Sequence, residues 1–229
     1  MAAPDVPAIE IKTRSTYSAP TTLTPTTVDQ ASPIKEFQKW FSAAREPSSG
    51  VREPEAMSLS TVSAQGVPSA RMVLLKKIDS RGFFFFTNYN SRKSRELREN
   101  PRAALVFFWR EIDQQIRVLG RAEVADGKES DEYYASRPLG SRMGAWCSPQ
   151  STVVGEGEVQ ARFEEVQRKF QDKDGDIPRP EFWGGWRIIP DEIEFWAGRP
   201  SRLHDRVRYI REPGSTEDDP KWKIERLAP

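Results

Sequence analysis

The chain has 229 residues, with 35 Lys plus Arg against 34 Asp plus Glu and a formal net charge of +1. That balance argues against a generic nucleic-acid binder, which carries a clear basic excess, and no run of about 18 apolar residues is present to cross a membrane. One cysteine, Cys147, and one histidine, His204, leave no internal disulfide and argue against a His/Cys metal site, so no metal is expected.

Residues 1–31 are rich in Pro, Thr, Ser and Ala without apolar periodicity, and read as a flexible N-terminal tail. The first residues, MAAPDVPAIE, are acidic and lack an apolar signal core, which makes the cytoplasm the default expectation. Residues 32–229 read as a single domain. It opens with a helix: Ser32 suits an N-cap, Pro33 suits the first helical position, and Ile34, Phe37, Trp40, Phe41 and Ala44 recur at helical spacing. Strands are expected at Met57–Val62, Ser69–Lys76, Gly82–Thr87, Ala103–Trp109 and Gln115–Val124. Helices are expected at Ser91–Glu99, at Lys128–Arg137 (ended by Pro138) and at Glu158–Phe170. Leu139 and Gly140 read as a loop before Ser141. The last strands are placed at Trp186–Ile189, Ile193–Trp196, Val207–Arg211 and Trp222–Arg226. Short β segments joined mostly by short turns suggest an antiparallel barrel with flanking helices. No GxGxxG or P-loop pattern occurs, so a dinucleotide or nucleotide fold is not expected.

Several groups could carry chemistry. In the run GRPSRLHDR, an extended backbone would place Arg202, His204 and Arg206 on one face, with Leu203 and Asp205 on the other. Two guanidiniums around an imidazole suit an anionic ligand. At Asn88–Lys93, Ser91 could cap a helix whose first turn holds Arg92 and Lys93. Cations there oppose the helix dipole, and an anion would remove that cost; a solvated basic turn is the plainer alternative. Arg71 and Lys76 bracket RMVLLK and fall on opposite faces under strict alternation, so they serve different ligands unless a bulge re-aims one. Tyr133 and Arg137 share a helix face, with Ser141 following, and together would make a second phosphate cradle. Gln115, Gln150 and Ser151 are polar groups near apolar strands, and Trp196 alone reads as a core or interface aromatic.

The blocks PSARMVLLK, FFFFTNYNSRKSREL, LVFFWREIDQQIRVLG, YYASRPLGSRMGAW, SPQS, FWGGWRIIP, EFWAGRPSRLHDR and ERLAP, in this order, resemble the pyridoxamine 5'-phosphate oxidase family. The resemblance covers most of the chain outside the N-terminal segment. It implies a mainly β, antiparallel FMN-binding split barrel. It also implies a homodimer with FMN at the subunit interface, and a C-terminal dimerisation and substrate-site segment at 183–229.

By the same resemblance, Arg71, Met72, Val73, Leu74, Phe86, Thr87, Arg92, Lys93, Gln115, Gln150, Ser151, Trp196 and Arg206 match FMN-contacting positions. Lys76, Tyr133, Arg137, Ser141, Arg202, Leu203 and His204 match substrate-binding positions. The implied reaction takes pyridoxamine or pyridoxine 5'-phosphate to pyridoxal 5'-phosphate, a hydride passing from C4' to flavin N5 and dioxygen leaving as hydrogen peroxide. Arg202 and His204 are the expected catalytic residues, His204 being the easier proton carrier because arginine stays charged. Other expectations are another split-barrel FMN protein such as a flavin reductase, a non-catalytic flavin or B6-phosphate binder, and a nucleic-acid module, which the charge balance disfavours.

Overall fold

The computed structural model describes residue 10, residues 16–171 and residues 176–229. Among them, nine strands form one antiparallel sheet. The strands are β1 (Ala56–Val62), β2 (Pro68–Leu74), β3 (Lys77–Ile78), β4 (Phe83–Asn88), β5 (Arg102–Trp109), β6 (Gln114–Val124), β7 (Trp183–Ala197), β8 (Asp205–Arg211) and β9 (Trp222–Arg226). Their order is β2-β1-β5-β6-β7-β4-β3, with β8 on β7 and β9 on β8. Backbone bonds from Leu75 to Glu55 and from Lys76 to Phe84 draw the β2 end toward β4, so the sheet curls into a partial barrel.

Helix α1 (Pro33–Arg45) plugs the curl. Ser32 accepts from the Lys35 N–H at 3.3 Å, a cap that contributes about 0.5–2 kcal/mol. Phe37 of α1 is fully buried and meets the rings of Phe83 and Phe107 edge-on, at 4.9 and 5.0 Å. Met57, Leu59, Leu105, Ile116, Val118, Phe195 and Val207 complete this inner face, every second residue of its strand.

Two expected strands, Trp186–Ile189 and Ile193–Trp196, are one 15-residue strand, β7. Pro190 and Asp191 look like a break, but the register shifts there opposite Leu119 and Gly120, and a bulge tolerates the missing N–H of proline. Along one side β7 pairs with β6 throughout; along the other, residues 183–188 pair with β4 and 192–197 with β8. The strand therefore belongs to two half-sheets.

The helices α2 (Arg92–Glu99), α3 (Gly127–Ala135), α4 (Leu139–Cys147) and α5 (Glu158–Phe170) flank the sheet. The expected helix over Lys128–Arg137 begins one residue earlier and ends at Ala135. The loop expected around Leu139 and Gly140 is the first turn of α4, because Pro138 serves as its N-cap instead of only ending α3. The two glycines in LGSRMGAWC hide this helix from a propensity reading.

The tail expectation is corrected for residues 16–31. Leu23 is 1% and Val28 5% exposed. Ala19 N–H donates to Gly198 O at 2.9 Å, and the Arg199 guanidinium binds the carbonyls of Ala19 and Thr21. A Cβ on Gly198 would lie 2.6 Å from that of Tyr17, so the close crossing requires glycine. Residues 1–9 and 11–15 of the expected tail lie outside the described residues.

Candidate active site

The expected site residues fall into two groups. The first lines a cavity of about 370 Å³ bounded by Arg71, Met72, Val73, Leu74, Lys76, Phe86, Thr87, Lys93, Tyr133, Arg137, Gln150 and Trp183. Arg71 and Lys76 thus share a cavity, against the strict alternation expected of them. The strand ends at Leu74, not Lys76, and Lys76 instead donates its N–H to Phe84 O, so parity no longer governs it.

Ser91 caps α2, accepting from the Ser94 N–H at 3.4 Å, and Lys93 in the first turn of that helix stands on the cavity wall. Lys93 Nζ bonds to neutral oxygens: Gln150 Oε1 at 2.8 Å, Thr87 Oγ1 at 3.2 Å and Ser91 Oγ at 3.5 Å. Burial, and then the nearby Arg71 guanidinium, push its amine down to about 8. This is the signature of a cation held without its counter-charge.

Arg71 and Arg92 are both anchored by Glu96, a residue the sequence reading did not single out. Arg71 Nη2 lies 3.3 Å and Arg92 Nε 2.8 Å from its carboxylate. Ser69 donates to it at 2.7 Å, and Thr61 also donates. Burial alone would raise this carboxyl, but the bonds from Ser69, Thr61 and Arg92 win and hold it at about 2. On the sequence, Glu96 looked like one more helix-surface charge; only its four-residue spacing from Arg92 hinted at the pair.

At the other end of the cavity, Phe86, Tyr133 and Trp183 stack, Phe86 and Tyr133 at 4.1 Å between ring centres. Gly185 makes this possible: a Cβ there would lie 2.8 Å from the Phe86 ring. The Arg137 guanidinium sits 4.7 Å from the Trp183 ring centre, and its buried Nη1 has no hydrogen-bond partner. An orphaned guanidinium nitrogen beside Lys76 and Tyr133 fits a second anionic group. Ser141 occupies the first turn of α4 and Ser151 is exposed at positive φ; neither lines the cavity.

The second group gathers on the far half of β7. Gln115, Trp196 and Arg206 are paired across β6, β7 and β8 on the face turned away from the core. The His204 ring lies 4.7 Å from Trp196 and 5.5 Å from Tyr17. Its Nδ1 accepts from the Arg199 N–H at 3.0 Å, which puts the proton of the neutral ring on Nε2.

The shared face expected for Arg202, His204 and Arg206 does not form. The strand starts only at Asp205; Arg202 lies in a 3-10 turn, where Ser201 and Arg202 have φ of 57° and 63°. Such left-handed pairs outside glycine are strained and concentrate at functional sites. Arg202 and Leu203 are exposed, while Arg206 bonds Glu194 at 2.7 Å and the Ala228 carbonyl.

Phe86 pairs with Gly185, whereas Gln115 pairs with Trp196 on the same strand. Their separation along β7 is at most roughly 36 Å, at about 3.3 Å per residue. Within one chain, the two groups do not meet.

The described residues contain no helix long and apolar enough to cross a membrane and no cluster of metal-ligating side chains. Compared with known proteins, residues 45–170 match the family described as pyridoxamine 5'-phosphate oxidase, and residues 183–229 match the pyridoxine 5'-phosphate oxidase C-terminal dimerisation region. The chain is 50% identical over 199 residues to a pyridoxine/pyridoxamine 5'-phosphate oxidase of Bordetella petrii, covering 87% of this chain and 90% of that protein. It is 52% identical over 198 residues to the corresponding protein of Cupriavidus taiwanensis, with 86% and 89% covered. Among solved structures, PhzG from Burkholderia lata 383, in complex with tetrahydrophenazine-1-carboxylic acid, is similar at a TM-score of 0.82 and 32% identity, over 93% of this chain and all of that one. A pyridoxamine 5'-phosphate oxidase-related, FMN-binding protein of Nostoc punctiforme shares the fold at a TM-score of 0.66 and 17% identity, over 84% and 97% of the two chains.

Proposed function

The chain belongs to the pyridoxine/pyridoxamine 5'-phosphate oxidase family, and from that premise we propose how its own residues perform the oxidation. The enzyme is a pyridoxine/pyridoxamine 5'-phosphate oxidase with the split β-barrel fold of that family. The observation that carries the assignment of the site is the pair of under-neutralised cationic ends in one cavity: Lys93 with Arg71, and Arg137 with Lys76. Two phosphates fit these ends, one of the cofactor and one of the substrate.

FMN is assigned to the Lys93 end. Arg71, Lys93 and the N–H groups of α2 would hold its phosphate, and Arg92 would support it. Met72, Val73, Leu74, Phe86, Thr87 and Gln150 would border the rest, with Ser151 next to Gln150 outside the cavity wall. Bound there, FMN would supply the electron acceptor for oxidation at the substrate C4' carbon, with dioxygen taking the electrons on as hydrogen peroxide. The substrate phosphate is assigned to Lys76, Tyr133 and Arg137, with Ser141 at the adjoining helix start.

Gln115, Trp196, Arg202, Leu203, His204 and Arg206 are assigned to the cavity of a second copy, because they lie too far along β7 to reach their own. The outer face of the sheet supports this. Met72, Ser58, Val106, Arg117, Glu194 and Arg208 form one row across six strands, and Met72 and Phe108 are 65% and 51% exposed. Exposed apolar residues around a paired polar centre suit a homodimer face.

With Nδ1 occupied by Arg199, His204 presents Nε2–H and so donates to the substrate's reacting oxygen or nitrogen. To accept a proton there, the ring would first have to change tautomer. Arg202, always charged, orients by charge and does not move a proton. Orientation of this kind is worth up to about 7–11 kcal/mol in favourable systems.

The test is an absorbance spectrum of the purified protein before and after pyridoxine 5'-phosphate, without and with air. Expected are a flavin band that bleaches anaerobically and recovers with oxygen, and loss of turnover with retained flavin in His204→Ala and Arg202→Ala. A protein that cannot be loaded with FMN refutes the cofactor assignment, and a fully active variant removes that residue from the mechanism.

A further inference from the structure

Helix α3 carries Tyr133 to the cavity, and Arg137 follows its last turn. Ser130 accepts from the Gly185 N–H at 3.1 Å and Tyr134 meets the Trp183 ring edge-on, and both seat that helix on the sheet; two further contacts lie on its cavity side. Near its C-terminal end, Tyr133 stacks on Phe86. One turn earlier the contact is ionic: Glu129 Oε1 lies 2.5 Å from Lys77 Nζ, and Oε2 lies 3.7 Å from Arg187 Nη2. Residues 129 and 133 are four apart and project from one helix face.

The sheet beneath is built to receive that carboxylate. Phe84 is fully buried and pairs with Lys77 on β3 and Arg187 on β7, so the three form one row. The Arg187 guanidinium lies 4.4 Å over the Phe84 ring, and its side chain is 11% exposed. Asp79 and Glu123 each hold it at 2.7 Å. Lys77 directly follows Lys76, which stands on the wall of the cavity formed by the sheet.

We propose that Glu129 is a positioning residue for the substrate phosphate. By bridging Lys77 and Arg187, it fixes the distance between Lys76 on one wall and Tyr133 and Arg137 on the other. This rests on the assignment of those three residues to the substrate phosphate. An exposed Lys–Glu pair alone contributes little. Here, however, Glu129 Oε2 is buried without a hydrogen-bond partner, and the Arg187 guanidinium 3.7 Å away supplies an opposite charge. A displacement of about 1 Å in a positioning group can cost about a hundredfold.

The experiment is steady-state kinetics with pyridoxine 5'-phosphate on the FMN-loaded protein, alongside FMN titration by flavin fluorescence. The variants are Glu129→Ala, Glu129→Gln (which keeps the shape), Lys77→Ala, the Glu129→Ala/Lys77→Ala pair, and Lys76→Ala and Arg137→Ala as references. Expected for Glu129→Ala is a KM raised roughly tenfold, with kcat and FMN affinity within about twofold. Glu129→Gln follows in the same direction, and the pair is no worse than Glu129→Ala alone. An unchanged KM in both Glu129 variants, while the two references raise it, overturns the positioning role and leaves the phosphate assignment standing. A KM rise matched by lost FMN affinity also overturns it, since that is general loosening. References that leave KM unchanged overturn the phosphate assignment, and the positioning role with it.

Discussion

Tyr17 meets His204 edge to face, ring centres 5.5 Å apart and planes at 76°. The segment that brings Tyr17 there also buries Leu23 and Val28, and Leu23 N–H donates to Asp205. Burying two such aliphatic side chains contributes about 1.5–3 kcal/mol each. Deleting residues 1–31 therefore lowers Tm by roughly 5–15 °C in calorimetry. A deletion that leaves Tm unchanged means that the segment is not packed in solution.

Lys93 sets a pH dependence for anion binding. Its amine is pushed down to about 8 by burial and by Arg71. A bound phosphate favours the charged form and raises that value, so binding takes up a proton once the free protein has lost it. FMN affinity is flat from pH 7 to about 8 and then falls, by up to about tenfold per pH unit. Flavin fluorescence titrations at pH 7, 8 and 9 read this directly. Lys93→Met binds more weakly at pH 7 and shows no fall attributable to this group; a wild-type-like fall in that variant assigns the effect elsewhere.

Glu96 governs acid stability with the opposite sign. Burial raises its carboxyl, but the bonds from Ser69, Thr61 and Arg92 hold it at about 2, below the ordinary glutamate value of 4.5. Its stabilisation is complete above about pH 4.5 and is lost as pH falls toward 2. The stability difference between the wild type and Glu96→Gln, from urea titrations, is therefore constant above about pH 5 and shrinks below it. Truncation to alanine, which strips Arg71 and two hydroxyls of an acceptor, costs about 1–3 kcal/mol.

The outer face of the sheet predicts a coupled loss. Phe108 is 51% exposed and sits beside Gln115 in the row that continues to Trp196 and Arg206. A charge at its position, Phe108→Asp, is tolerated in a lone chain but not in an apolar interface. The variant sediments as a monomer and retains little FMN. A monomer with full flavin content would show that the second copy contributes nothing to the site.

The periodic parts of this chain were legible in its sequence. The alternation in β1, β5 and β6, the helical spacing of Phe37 and Trp40, and the caps at Ser32 and Ser91 are local patterns, each fixed by residues a few positions apart. The sequence blocks also pointed to the correct family, because order and spacing survive where contacts are invisible. Local pattern misled at Pro190, where a bulge carries one strand through, and at Leu139, where a proline starts a helix.

The partnership of Lys93 with Gln150, of Arg71 with Glu96 and of Tyr17 with His204 joins residues 25 to 187 positions apart, and no periodicity encodes such pairs. Only the packing of the N-terminal segment, α2 and the curled sheet against one another decided them. It also decided that Lys76 and Arg71 share a cavity, because the chain leaves the strand at Leu74 and alternation ceases to apply. The sequence determined which residue types were available to hold phosphate and where the chain could pair. The tertiary structure decided which of them meet, and set the two groups at opposite ends of β7, because a strand is rigid and extended over the length that separates them.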